Sequence, residues 1–209
     1  MANRPVVVLA SASPARLAVL RGAGIDPVVR VSGVDEDAVA AALPDAKPAE
    51  LVTALANAKA DAVATDIASE HPDAVVVGCD SMLHFGGQLV GKPGCPDAAF
   101  RHWQAMAGGT GELLTGHAVV RLDQGVRTAV ASGAQSTAIR FGTPSTEEIA
   151  AYVGTGEPLQ VAGGFTLDGR GGWFVDGIDG DPSSVIGISL PLTRRLLAEI
   201  GVPLVSLWS

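Results

Sequence analysis

Short apolar runs that suit buried strands alternate along this chain with longer stretches whose apolar positions recur every three or four residues. The strand-like runs lie at Val6 to Ala10, Val28 to Ser32, Val75 to Gly78, Ala118 to Leu122, parts of Thr128 to Ile139, Gly163 to Leu167 and Trp173 to Ile178. Helical periodicity falls between them, at Pro14 to Arg21, Ala38 to Leu43, Ala49 to Ala68, Asp97 to Met106, Thr146 to Val153 and Leu192 to Ile200. This alternation predicts an α/β fold. The glycine-rich segment from Gly163 to Gly187 reads as successive hairpins, so the sheet is expected to be mixed. At 209 residues the chain is long enough for one large α/β domain or two lobes around a cleft. Nothing in it forces a domain boundary, and residues 1–209 are read as a single domain.

Composition narrows the class. Hydrophobic residues make up 47% and charged residues 17%, which excludes a disordered chain. Aromatics are only 4%, so the core is expected to be built from Val, Leu, Ile and Ala. No apolar run reaches the length of a membrane span, and the early run at Val6 to Ala10 is too short for a signal-peptide core. A cytoplasmic protein without a membrane partner is expected. Cys79 and Cys95 have no metal spacing and form no disulfide framework, so both read as buried, inert thiols. The formal net charge of -8 argues against a nucleic-acid surface, because phosphate backbones are gripped by clustered cations. A small phosphate ligand needs only a few converging cations. The chain has 11 arginines but three lysines, Lys47, Lys59 and Lys92, which makes the placement of each lysine informative.

The run Val75-Val76-Val77-Gly78-Cys79-Asp80-Ser81 suits a strand covered on both faces and ending in a carboxylate. Ligands of open α/β sheets gather beyond such strand ends. Lys92 follows a hairpin expected over Met82 to Val90 with Gly86-Gly87 at its tip, and is read as a fixed cation facing Asp80. Lys59 lies in the middle of a stripe formed by Val52, Leu55, Ala56 and Val63, opposite Glu50, Asn57 and Asp61. It either snorkels to water or reaches through the stripe to an anion. After the first strand, Ser13 suits an N-cap with Pro14 at the first helical position. Ser11 and Arg16 beside that helix start are either parts of an ordinary cap or donors to a phosphate. Asp35, Glu36 and Asp37 either form a favourable acidic first turn or supply a divalent-metal ligand or a base.

Other motifs fail on inspection. Gly86, Gly91 and Lys92 have P-loop spacing, but Pro93 stands where the magnesium-binding hydroxyl belongs and opposes the helix that must follow. Asp176, Asp179 and Asp181 lack calcium-loop spacing and read as turn residues. The four histidines have no zinc spacing, and there is neither a dinucleotide fingerprint nor a nucleophile elbow.

Taken in order, Ser11-Ala-Ser-Pro-Ala-Arg16, Val34-Asp-Glu36, Ala58-Lys59-Ala60, Cys79-Asp80-Ser81, Gly91-Lys92-Pro93, Thr155-Gly-Glu-Pro158, Ala162-Gly163 and Gly180-Asp-Pro-Ser-Ser-Val-Ile-Gly187 resemble the Maf family across nearly the whole chain. The resemblance implies a mixed sheet folded around a deep cleft and a cytoplasmic homodimer. It also implies a pyrophosphatase that hydrolyses a nucleoside triphosphate to monophosphate and pyrophosphate with Mg²⁺ or Mn²⁺. Carried over by position, Asp80 matches the family's proton acceptor, Arg16, Lys59 and Lys92 its phosphate-handling cations, and Ser11 and Glu36 further cleft positions. Asp80 and Glu36 are then the expected metal ligands. Ala15, Cys79 and Ser81 depart from common family residues, while Leu159 to Gly163 resembles the subgroup acting on methylated guanine nucleotides. The base is therefore open. A nucleotide-binding regulatory module of cell division, without turnover, is the competing expectation.

Overall fold

A computed structural model describes residues 4–208; of the expected 1–209 span, residues 1–3 and 209 lie outside the described residues. The chain runs β1 (Val6–Leu9), α1 (Pro14–Gly22), β2 (Val28–Val29), α2 (Glu36–Ala41), α3 (Pro48–Ile67), β3 (Ala74–Phe85), β4 (Gln88–Val90), α4 (Pro96–Met106), β5 (Thr110–Asp123), β6 (Val126–Phe141), α5 (Thr146–Gly154), β7 (Val175–Asp179), α6 (Pro182–Ile186) and α7 (Leu190–Glu199). Hydrogen bonding orders the strands β2-β1-β3-β5-β6-β7, with β4 pairing β3. β1 is parallel to both β2 and β3, whereas β3–β4 and β6–β7 are antiparallel, so the sheet is mixed as expected. The chain divides into two compact units. Among the described residues no helix is long and apolar enough to cross a membrane.

The first unit comprises Met1–Asp80, Thr115–Gln135 and Gly187–Ser209. β1 and the stretches of β3 and β5 that belong to it are covered on both faces, which is why they read as continuous apolar runs. The period of two sends Leu9, Val75, Val77 and Cys79 into a cluster with Leu20 of α1 and Leu192, Leu196 and Leu197 of α7. Val8, Ala74, Val76, Ala118 and Val120 point the other way, onto Ala56, Ala60, Val63 and Ile67 of α3. α3 approaches so closely that a Cβ on Gly78 would lie 2.4 Å from the Ala56 carbonyl oxygen, and one on Gly116 2.1 Å from that of Val52. Inside this unit His117 is fully buried. The Ser189 N–H can only donate and does so to Nε2 at 2.7 Å, so Nδ1 carries the proton toward the Thr115 carbonyl at 3.0 Å. That pairing ties β5 to the N-cap of α7.

The second unit comprises Ser81–Leu114 and Ser136–Ile186. It gathers the aromatics: Trp103 meets Phe141, Tyr152 and Phe174 edge to face with centroids 5.6–5.8 Å apart, and Phe165 packs on Phe141. The aliphatic core expected from composition is thus found in the first unit, while the second concentrates the few rings the chain has. The expected hairpin is present, with Phe85 opposite Gln88 and both Gly86 and Gly87 at positive φ, as a two-residue turn requires.

Several expectations are corrected. β3 continues to Phe85, so Asp80 lies inside a strand; what ends beside it is the parallel partner β1, whose register stops at Leu9 opposite Val77. Met82 to Phe85 extend the strand because they pair with β4. The run at Val28 yields only two strand residues, both exposed. Gly163 to Leu167 is no strand, and the segment to Gly187 is not a series of hairpins: 3-10 turns cover 157–160, 162–164 and 170–174, followed by β7 and the short α6. Gly163 and Gly164, both at φ 70°, bend the chain back on itself. A Cβ on Gly163 would lie 2.8 Å from that of Leu83.

Candidate active site

Asp80 owes its surroundings to strand alternation. Cys79 turns into the core beneath α1 and α7, so Asp80 turns toward α3, on the face where Gly78 already touches that helix. Lys59 lies between the two α3 residues that Gly78 approaches, Ala56 and Ala60, on the buried face with Leu55 and Val63. Its ammonium donates to Asp80 Oδ1 at 2.6 Å and lies 2.7 Å from Glu36 Oε1. Lys59 and Asp80 are 8% and 6% exposed, so their attraction is weakly screened and loss of the Lys59 charge would strand the buried Asp80 carboxylate. The open question about Lys59 is thereby answered: it reaches through the apolar stripe, and what it meets are two carboxylates. Asp80 Oδ2 is buried and has no hydrogen-bond partner among the described residues.

The acidic segment serves two purposes. Asp35 caps α2 by accepting from the Ala38 N–H at 2.9 Å, while Glu36, the first helical residue, faces Lys59. At α1, Ser13 accepts from the Arg16 N–H at 3.4 Å with Pro14 following it, as the sequence predicts. Arg16 is more deeply engaged than a surface arginine. Its Nη1 donates to Ser11 Oγ at 3.0 Å and to the Cys79 carbonyl at 2.8 Å, and its Nε donates to the Gly187 carbonyl at 2.9 Å. Ser11 also accepts from the Ser13 N–H at 3.2 Å.

The first unit therefore brings together Ser11, Arg16, Glu36, Lys59 and Asp80. Lys92 belongs to the second unit, where it is exposed just after β4. Its backbone is anchored on both sides: the Gly91 carbonyl accepts from the Gly163 N–H at 3.0 Å, and the Gly94 N–H donates to the Leu159 carbonyl at 2.9 Å. The helix after it begins only at Pro96, which agrees with rejecting a P-loop. Asp181 accepts from the N–H and the hydroxyl of Ser183, the turn role expected of it. Among the described residues no group of three or more His, Cys, Asp or Glu side chains is arranged around a common metal position.

A family model described as Maf-like protein matches residues 6–200. The chain belongs to the Maf family. Similar proteins named nucleoside triphosphate pyrophosphatase include one from Saccharopolyspora erythraea, 67% identical over 202 residues and 96% of each chain. Another, from Nocardia farcinica, is 62% identical over 97% of this chain and 96% of its own. A third, from Rhodococcus jostii, is 60% identical over 97% of this chain and 95% of its own.

Two further features of this Maf protein were not foreseen. Of the two thiols, only Cys79 is buried as expected, and burial pushes it up to about 11 despite the nearby Arg16. Cys95 is exposed because it precedes α4 as its N-cap residue. The Thr155-Gly-Glu-Pro158 motif is organised around Glu157, whose Oε1 accepts from Thr166 Oγ1 at 2.6 Å and from the Gly171 N–H at 3.1 Å, while Arg170 lies 3.3 Å from Oε2. Partial burial works against ionisation, but these donors outweigh it and hold the carboxyl below its ordinary 4.5. A carboxylate depressed on folding stabilises the fold above its unfolded pKa, and that contribution is lost as pH falls through the folded value. Glu157→Gln is therefore expected to melt below the wild type at pH 7, with the gap closing as pH falls below about 4.5. Melting curves across pH check this; a gap that persists unchanged at pH 3 would show that charge plays no part.

Proposed function

We infer that this protein is a nucleoside triphosphate pyrophosphatase, releasing pyrophosphate and a nucleoside monophosphate. The observation that carries the reading is the buried Asp80, one oxygen held by Lys59 and the other unpartnered, in a Maf chain whose relatives at 57–67% identity bear that enzyme's name. Attack at the α-phosphorus needs an oriented water and neutralisation of the triphosphate charge. Asp80 is the acceptor that orients and deprotonates that water through its unpartnered oxygen. The Lys59 ammonium is shared by Glu36 and Asp80, so one formal positive charge faces two negative ones. On substrate arrival that ammonium shifts from these carboxylates toward a phosphate, and Lys92 matches by position a further phosphate-handling cation of the family. Arg16 and Ser11 complete the polar edge next to the α1 start.

The donor set suits a divalent cation. Asp80 and Glu36 lie on the same ammonium, and a buried carboxylate oxygen lacks a partner. Two carboxylates are fewer than a closed protein cage requires but suit Mg²⁺ or Mn²⁺ arriving with phosphate oxygens and water. Bound there, the cation would lower the pKa of a water and offset phosphate charge. The same reading includes a homodimer and a cytoplasmic setting, which rest on the family resemblance alone.

The test is incubation with standard and base-modified triphosphates plus Mg²⁺ or Mn²⁺, followed by product analysis. Pyrophosphate is the expected product, and removing the cation with a chelator is expected to abolish it. Orthophosphate would instead identify a phosphatase, and binding without any product would favour a regulatory module. The panel also ranks the bases.

A further inference from the structure

The parallel ladder beside Asp80 ends abruptly. The last bond from β1's side is the Ala10 N–H to the Val77 carbonyl at 2.8 Å. Carbonyls on one edge of a strand recur every second residue, so the next acceptor on that edge is the Cys79 carbonyl, which belongs to the peptide unit leading into Asp80. Among the described residues β1 does not extend to it, its register ending opposite Val77. The Arg16 guanidinium does reach it, at 2.8 Å, and thereby continues the ladder with a side chain.

Arg16 is itself held. Three of its five N–H groups are committed to Ser11 Oγ, the Cys79 carbonyl and the Gly187 carbonyl. Gly187 has φ +137°, a conformation open essentially to glycine, and a Cβ there would lie 3.0 Å from Arg16 Cγ and 3.3 Å from its Nε. Gly187 thus holds Arg16 Nε through its carbonyl, and any side chain at that position would crowd the same arginine. All these groups belong to the first unit.

We propose that Arg16 and Gly187 are positioning residues for Asp80. They lock the Cys79–Asp80 peptide where β1 no longer supports it, so the carboxylate meets Lys59 and the reacting water in one orientation. This goes beyond a phosphate-contacting role for Arg16 and rests on the pyrophosphatase reading. Lysine keeps the charge but cannot bridge three acceptors with a planar fork. Arg16→Lys therefore separates charge from geometry, and Gly187→Ala disturbs the clamp from a residue with no charge of its own.

Steady-state kinetics of pyrophosphate release are measured for the wild type, Arg16→Lys, Gly187→Ala and the double variant, with melting curves to establish the folded fraction. Each single variant is expected to lose roughly tenfold to a hundredfold in kcat, the range for a slightly misplaced catalytic group, with KM within about threefold. The double variant should be no worse than the poorer single one, because both break one device. Arg16→Lys with near-normal kcat and a raised KM would overturn the proposal in favour of a simple phosphate contact. Normal kcat in folded Gly187→Ala, or losses that multiply in the double variant, would overturn it as well; if Gly187→Ala does not fold, Arg16→Lys decides. A wild type that releases no pyrophosphate would instead defeat the underlying functional reading and the proposal with it.

Discussion

Asp80→Asn is expected to lose at least roughly a hundredfold in kcat while KM changes little, the low end for removal of a general base. Asparagine matches aspartate in volume and can still accept from Lys59 through its amide oxygen. In that orientation its NH₂ occupies the position of Oδ2, where it donates and can neither accept a proton nor hold a cation. The opposite orientation sets NH₂ against the ammonium of Lys59. Glu36 remains to balance that ammonium, so the variant should fold. Single-turnover measurements on the folded variant test the assignment directly, since they read the chemical step apart from product release. Activity within a few-fold of the wild type would remove Asp80 from the role of base.

The second large effect concerns the fold beneath the site. Gly116→Ala would place a methyl 2.1 Å from the Val52 carbonyl oxygen and 2.6 Å from the Thr53 nitrogen. Both are backbone atoms of α3, so no rotamer change relieves the clash. Overpacking of this kind costs about 3 kcal/mol, outweighing the gain of under about 1 kcal/mol that alanine brings by stiffening the unfolded chain. With a net loss of about 2–3 kcal/mol, the melting temperature of a chain of this size should fall by roughly 4–12 °C. Gly154→Ala is the control: nothing lies within 4 Å of a Cβ there, and its melting temperature should stay level or rise slightly. An unchanged melting temperature for Gly116→Ala would mean that α3 moves off the strands without penalty. If α3 does move outward, Lys59 moves with it, so any folded Gly116→Ala should also lose activity.

How much of this could be read in the chain depended on how local the signal was. Lys59 stood out because helical periodicity alone places it on an apolar stripe, and the structure buries it on that stripe. The cap at Ser13 was legible for the same reason, since it bonds within three residues. The extent of β3 was misread because the end of a strand's partner and the end of the strand itself look alike in sequence. The late glycines were misread because positive φ serves hairpins and 3-10 turns equally. The bond from Arg16 to Cys79 spans 63 positions and that to Gly187 spans 171, distances at which periodicity carries no information. Gly78 and Gly116 were silent in sequence too, because a glycine needed for close approach resembles one that ends a turn.

The unequal thiols give the protein its own chemical handle. Alkylation requires a thiolate, and burial keeps Cys79 protonated and shielded at neutral pH, whereas Cys95 stands exposed at the start of α4. A maleimide dye added to the folded protein should therefore attach once, in the second unit and three residues from Lys92. The triphosphate contact proposed for that lysine can then be tested by fluorescence, with no engineered cysteine and with Cys79 left untouched.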